Sequence, residues 1–239
     1  GSFGRGYVTV DGAGSFLAAY GDAPRMQVGR GSNNSNPGYG YGRLDITNGG
    51  VAGTLEVQIG RGDGVGIVTV TGDGSQLNAG SAYGLQSYYN GNSYVGDAAR
   101  AVIGRQGGDG RLILSDGGTF THENIDGLTD GPALDIGRDE NSFGRLDITG
   151  AGSAATLRQN GPTGDDDDES ATLAIGRGGD AEVNVSQGGV LNVLGDGANI
   201  QMGDAFNTES SQGSGSLNVY DGGIVNVDAG SYEGGFFVL

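Results

Sequence analysis

Five arginines recur in one setting. Arg30, Arg61, Arg105, Arg138 and Arg177 each close the pattern apolar-Gly-Arg: Val28-Gly29-Arg30, Ile59-Gly60-Arg61, Ile103-Gly104-Arg105, Ile136-Gly137-Arg138 and Ile175-Gly176-Arg177. If the pattern is a strand stacked on copies of itself, like charges fall about 4.8 Å apart. Such a column needs offsetting charge, and Asp63, Asp109, Asp139 and Asp180 follow the arginines within a few residues. Guanidinium groups bonded to carboxylates and corner carbonyls make a structural ladder, the reading this pattern favours. The functional alternative is a cationic track for an acidic polysaccharide. In the sixth copy Asp204 stands in place of arginine and interrupts such a track.

The densest charge is Asp165-Asp166-Asp167-Asp168-Glu169. A solvated acidic loop is the plain reading. Calcium is the functional one, because hard cations collect carboxylate and carbonyl oxygens. Gly-Asp-Gly corners at Asp63, Asp73, Asp109 and Asp196 add possible ligands, but no tandem calcium nonapeptide array and no EF-hand spacing occurs. Tyr83, Tyr88, Tyr89 and Tyr94 crowd the longest insertion, and Tyr39 and Tyr41 sit in another. They suit packing on the chain itself, a protein contact or sugar stacking. His122 is the only histidine and reads as a loop residue; with no cysteine and no second histidine, a zinc site is not expected. Paired carboxylates can hydrolyse glycosides, yet the acids here are spread through corners and no pair stands out. The expectation is a non-enzymatic protein.

The elements that position these residues are short. Residues 173–193 hold three runs of alternating apolar residues: Leu173-x-Ile175, Val183-x-Val185, and Val190 to Val193. Period two means strands with one face in and one out. One such unit cannot bury its apolar face and needs copies stacked on it. The first-strand signature recurs at 26–30, 57–61, 101–105, 134–138, 173–177 and 200–204. The second recurs as Leu44-Asp-Ile46, Ile67 to Val70, Leu112-Ile-Leu114, Leu146-Asp-Ile148, Val183-Asn-Val185 and Leu217-Asn-Val219. Unequal spacing puts insertions at two corners only: residues 31–41 and 205–214 after the first strand, and 78–100, 121–133 and 158–171 after the third. Pro24, Pro37, Pro132 and Pro162 all fall in corners or insertions, as residues that cannot donate to a ladder should.

The chain of 239 residues therefore reads as a single domain over 1–239, an all-β parallel β-solenoid of about seven coils. Its 53 glycines exclude long helices. The inward positions Ile59, Ile103, Ile136, Ile175 and Met202 are expected to form one buried ladder. A net charge of −17, with arginine supplying every basic residue, argues against nucleic acid and anionic membranes as partners. Neither a signal peptide nor a membrane span is recognisable, so the chain reads as mature or as a piece of something longer.

The repeated Ile-Gly-Arg, the following Gly-x-Leu-x-Val and its Gly-Gly or Gly-x-Gly corner resemble the repeat shared by type V autotransporter passengers and PEP-CTERM-type surface proteins. The resemblance covers nearly the whole chain. It implies a secreted or surface-displayed β-helical stalk, extracellular, with no catalytic residues to transfer.

The two ends match in register. Tyr7, Val8 and Val10 belong to a second strand with no first strand before it, and Phe236, Phe237, Val238 and Leu239 align with a first strand. Copies of the chain stacked head to tail would complete one another by strand addition, and such a heterologous contact grows into a filament. The expected function is a structural or adhesive surface protein, a stalk or filament subunit. The alternatives are a glycan-binding module or a polysaccharide-active β-helix enzyme.

Overall fold

The computed structural model describes residues 4–19, 24–32, 39–80, 100–123, 131–160, 170–203, 213–230 and 236–238. They form 21 strands in three parallel sheets of seven, each stacked in chain order. Sheet one holds β1 (Gly4–Asp11), β4 (Gly40–Thr47), β7 (Val65–Thr71), β10 (Asp109–Ser115), β13 (Phe143–Thr149), β16 (Asp180–Ser186) and β19 (Ser214–Val219). Sheet two holds β2 (Phe16–Ala18), β5 (Val51–Thr54), β8 (Gln76–Gly80), β11 (Thr119–Glu123), β14 (Ala154–Arg158), β17 (Val190–Leu194) and β20 (Ile224–Asp228). Sheet three holds β3 (Arg25–Arg30), β6 (Glu56–Arg61), β9 (Arg100–Arg105), β12 (Ala133–Ile136), β15 (Thr172–Ile175), β18 (Asn199–Met202) and β21 (Phe236–Val238). Each successive trio is one coil of a parallel β-solenoid.

Alternation puts the aliphatic residues inside. In sheet one Val8, Leu44, Val68, Leu112, Leu146, Val183 and Leu217 share one register position. In sheet three Val28, Ile59, Ile103, Ile136, Ile175 and Met202 share another. The middle members of both ladders are fully buried, while Met202 packs partly buried against the same core. Burial at about 25 cal/mol per Å² of apolar surface makes these ladders the main source of stability.

The core is thin enough for backbones to touch. Gly42, Gly66, Gly110, Gly144 and Gly215 stack at one position of sheet one, with Ala181 among them. A Cβ on Gly110 would lie 2.1 Å from the Ile59 carbonyl oxygen, so the sheet three backbone leaves no room for a side chain there.

Tight turns join sheet one to sheet two in every coil, and they come in two kinds. Coils two, four, six and seven use a four-residue turn: Thr47-Asn48-Gly49-Gly50, Ser115-Asp116-Gly117-Gly118, Ser186-Gln187-Gly188-Gly189 and Tyr220-Asp221-Gly222-Gly223. Both central residues have positive φ, for example 53° at Asn48 and 84° at Gly49, which defines a type I′ turn. Coils one, three and five use a five-residue turn ending in serine: Asp11 to Ser15, Thr71 to Ser75 and Thr149 to Ser153. The gaps between described stretches all fall in the other two connections. Pro24 and Pro132 precede β3 and β12, where their carbonyls accept from the Glu56 and Thr172 amides.

Two expectations change. His122 is not in a loop: it is fully buried on β11, in register with Ala79 and Leu157, because Phe120-x-His122 continues the inward alternation. β11 thus runs to Glu123, and the insertion starts later than residue 121. Tyr41 likewise lies on β4 and not in the insertion. The end register holds: β1 pairs with β4 in the second-strand position, and β21 pairs with β18 as Phe236 aligns with Asn199.

Candidate functional site

The arginine column is built by register. Arg30, Arg61 and Arg105 are paired neighbours in sheet three. Arg30 and Arg61 each meet a glutamine three positions earlier in the chain. Arg30 donates to Gln27 Oε1 at 3.3 Å and Arg61 to Gln58 Oε1 at 3.0 Å, while Gln27 donates to Gln58 at 2.7 Å. Arg61 Nε also donates to Gln106 Oε1 at 2.9 Å. Neutral amides do not cancel charge, and the Arg61 guanidinium is held below its ordinary pKa, first by burial and then by Arg105 and Arg30.

Farther along, one carboxylate gathers three guanidiniums. Asp135, 1% exposed on β12, receives Arg100 at 3.2 Å, Arg177 at 3.4 Å and Arg138 at 3.5 Å. Of the four aspartates expected to offset the column, Asp139 lies 3.7 Å from Arg105. Asp109 instead pairs with Arg111 on the face of sheet one, and Asp180 accepts from Ser214. Asp135 and the glutamines were absent from the sequence reading. Their signal was the middle residue of the apolar-x-apolar-Gly-Arg signature: Gln27, Gln58 and Asp135, three residues before the arginine and brought beside it because the intervening Gly29, Gly60 and Gly137 have positive φ and break the strand alternation. Arg25 and Glu56 form a further ion pair beside this column.

Of the tyrosines, Tyr39 is exposed, and the rings of Tyr7 and Tyr41 lie 5.7 Å apart at 47°. Tyr83, Tyr88, Tyr89 and Tyr94 lie outside the described residues, as do the acidic run Asp165 to Glu169, Asp204 and Leu239. Among the described residues no group of three or more His, Asp or Glu side chains is placed to hold a metal ion.

The end faces are the most distinctive surfaces. Among the described residues the exposed large apolar side chains are Tyr7, Val8, Phe16, Tyr39, Val219, Tyr220 and Ile224. All but Tyr39, which leads from the first coil into the second, belong to coil one or coil seven. At the first face, a cavity of about 430 Å³ opens into the core between Val8, Leu17, Met26, Val28 and Leu44. At the other face, Leu217, Val225 and Val227 remain only partly covered. β21 closes sheet three there, its backbone paired with Asn199, Ile200 and Gln201 of β18.

No family model, curated protein or solved structure matches the chain.

Proposed function

We propose that this chain is a structural segment of an extracellular stalk or filament, in which copies stack head to tail through the end faces of the solenoid. The observation that carries this reading is that, among the described residues and Tyr39 apart, the exposed large apolar side chains lie in the first and last coils. Continuing the register of sheet one across a junction places Leu217 on Val8 and Val219 on Val10. Sheet two places Ile224 on Phe16 and Val225 on Leu17. These four pairs are apolar on apolar. The open strand edges at both ends supply the backbone donors and acceptors for the same contact. The display outside the cell follows from the resemblance to surface repeat proteins, which this reading adopts. The glycan-binding alternative draws less support from the Tyr7–Tyr41 pair, whose tilted planes give no flat platform for a sugar ring.

Val8→Asp and Val219→Asp test the reading in the full chain. Both side chains are about half exposed, so the fold should survive. Wild type should form linear particles by electron microscopy and sediment with concentration-dependent mass. Each variant alone should be monomeric, and an equimolar mixture should stop at dimers, because only one pair of intact faces remains. A wild type that stays monomeric at high concentration overturns the proposal.

A further inference from the structure

We infer that Ser15 and Gly222 form the hydrogen bond that fixes the phase and polarity of this stacking, with a second copy of this chain as partner. The inference rests on the head-to-tail reading and adds an independent observation from the turns.

Inside the solenoid the two turn kinds lock together. The Ser75 hydroxyl donates to the Thr71 carbonyl at 2.7 Å and its Oγ accepts the Gly49 amide of the preceding coil at 3.0 Å. Ser153 repeats this, donating to Thr149 at 2.8 Å and accepting from Gly117 at 3.1 Å. In both cases a serine turn reaches back to the second central residue of a type I′ turn. Ser15 is preset identically, its hydroxyl donating to the Asp11 carbonyl. Its acceptor side points along the axis, away from coil two. Coil seven joins sheet one to sheet two by a type I′ turn whose matching residue is Gly222, φ 79°, exposed. Gly188 shows what happens without the match: the next turn is again type I′ and no serine answers it.

A copy stacked with sheet one on sheet one therefore brings the Gly222 amide to Ser15 Oγ. A copy rotated onto another sheet does not, because Ser15 and Gly222 both lie in the turn from sheet one to sheet two and then no longer face each other. The same phase sets Thr9 beside Asn218. The Asn218 amide nitrogen donates to Asn184 Oδ1 at 3.0 Å, which leaves its own Oδ1 to accept the threonine hydroxyl.

The test uses the discrete dimer of Val8→Asp with Val219→Asp. The Val8→Asp chain presents Gly222 and the Val219→Asp chain presents Ser15. Amide exchange at Gly222 of the Val8→Asp chain should slow at least about tenfold on mixing, as a newly buried hydrogen bond requires. Adding Ser15→Ala to the Val219→Asp chain should abolish that protection and weaken dimerisation roughly 2- to 12-fold, the range for one net hydrogen bond. Ser75→Ala in the same background should lower melting temperature and leave dimerisation unchanged. If the dimer forms but Gly222 stays unprotected, the latch is wrong and the stacking stands. If neither the mixture nor wild type associates, the stacking itself is wrong and the latch falls with it.

Discussion

Arg177 reaches back one coil to Asp135, its NH1 lying 3.4 Å from both carboxylate oxygens. Arg100, from the coil on the other side, meets the same carboxylate. One buried acid thus ties three coils together. Removing it takes one shared counter-charge from three guanidiniums at once. Asp135→Ala should cost roughly 3 kcal/mol in urea denaturation, the scale for breaking a buried pair. Asp139→Ala, at a longer and more exposed contact with Arg105, should cost less than about 1 kcal/mol.

Gly110 has the sheet three backbone against it, and a methyl there must move Ile59 or Gly104. Gly110→Ala should lower stability by about 1–3 kcal/mol, the usual cost of overpacking. Ala181 holds the equivalent place in coil six, where a methyl is already accommodated. Ala181→Gly should cost no more than about 1 kcal/mol. Comparing the two melting curves checks that the corner, and not glycine content, sets the constraint.

His122 occupies an inward position whose register neighbours are Ala79 and Leu157. An aliphatic side chain of similar volume suits that ladder. His122→Leu should fold with unchanged or raised melting temperature. A large loss would show that the imidazole is a required polar partner in the core.

Asp11 accepts from Thr47 at 2.6 Å and Asn48 at 2.7 Å, and these bonds, Thr47 first, hold its carboxyl below the usual range. A folded pKa below the unfolded one means the contribution is full above the unfolded value, about 3.9, and is lost as pH falls through the folded value. Thr47→Val should therefore destabilise at about pH 6, and the difference from wild type should shrink steadily as pH falls below about 3.9. A difference that persists unchanged in acid would assign the effect to packing.

The solenoid was legible because its signals repeat. Leu-x-Ile-Gly-Arg and Val-x-Val state the inward face several times, so the ladder through Ile136 and Ile175 could be placed from spacing alone. His122 was misplaced because it occurs once and its type suggested a loop, although Phe120-x-His122 kept the strand period. The arginine partners were sought downstream in the chain, where Asp109 and Asp180 lie close in sequence. Stacking makes distance along the axis matter more. Asp135 reaches Arg177 because both sit on sheet three, one coil apart. The alternation of turns at Gly49, Ser75, Gly117 and Ser153 was written in the sequence too. Its meaning appears only when consecutive coils are superimposed.

The direction of the hydrogen bonds has a mechanical consequence. Strands run around the prism, so their ladder bonds lie along its axis, and a pull on the two ends loads those bonds in tension. Bonds loaded this way open in sequence from an end, as a zipper does, and are not sheared together. Each coil advances the axis by about 4.8 Å. The shortest, about 25 residues from β4 to β7, pays out roughly 85 Å of chain once released. Coils carrying longer connections pay out more, so extension should proceed in unequal steps, with the Asp135 coils resisting longest. Such a segment would act as a spring with a reserve of length, stiff at low load and yielding by single coils before it breaks.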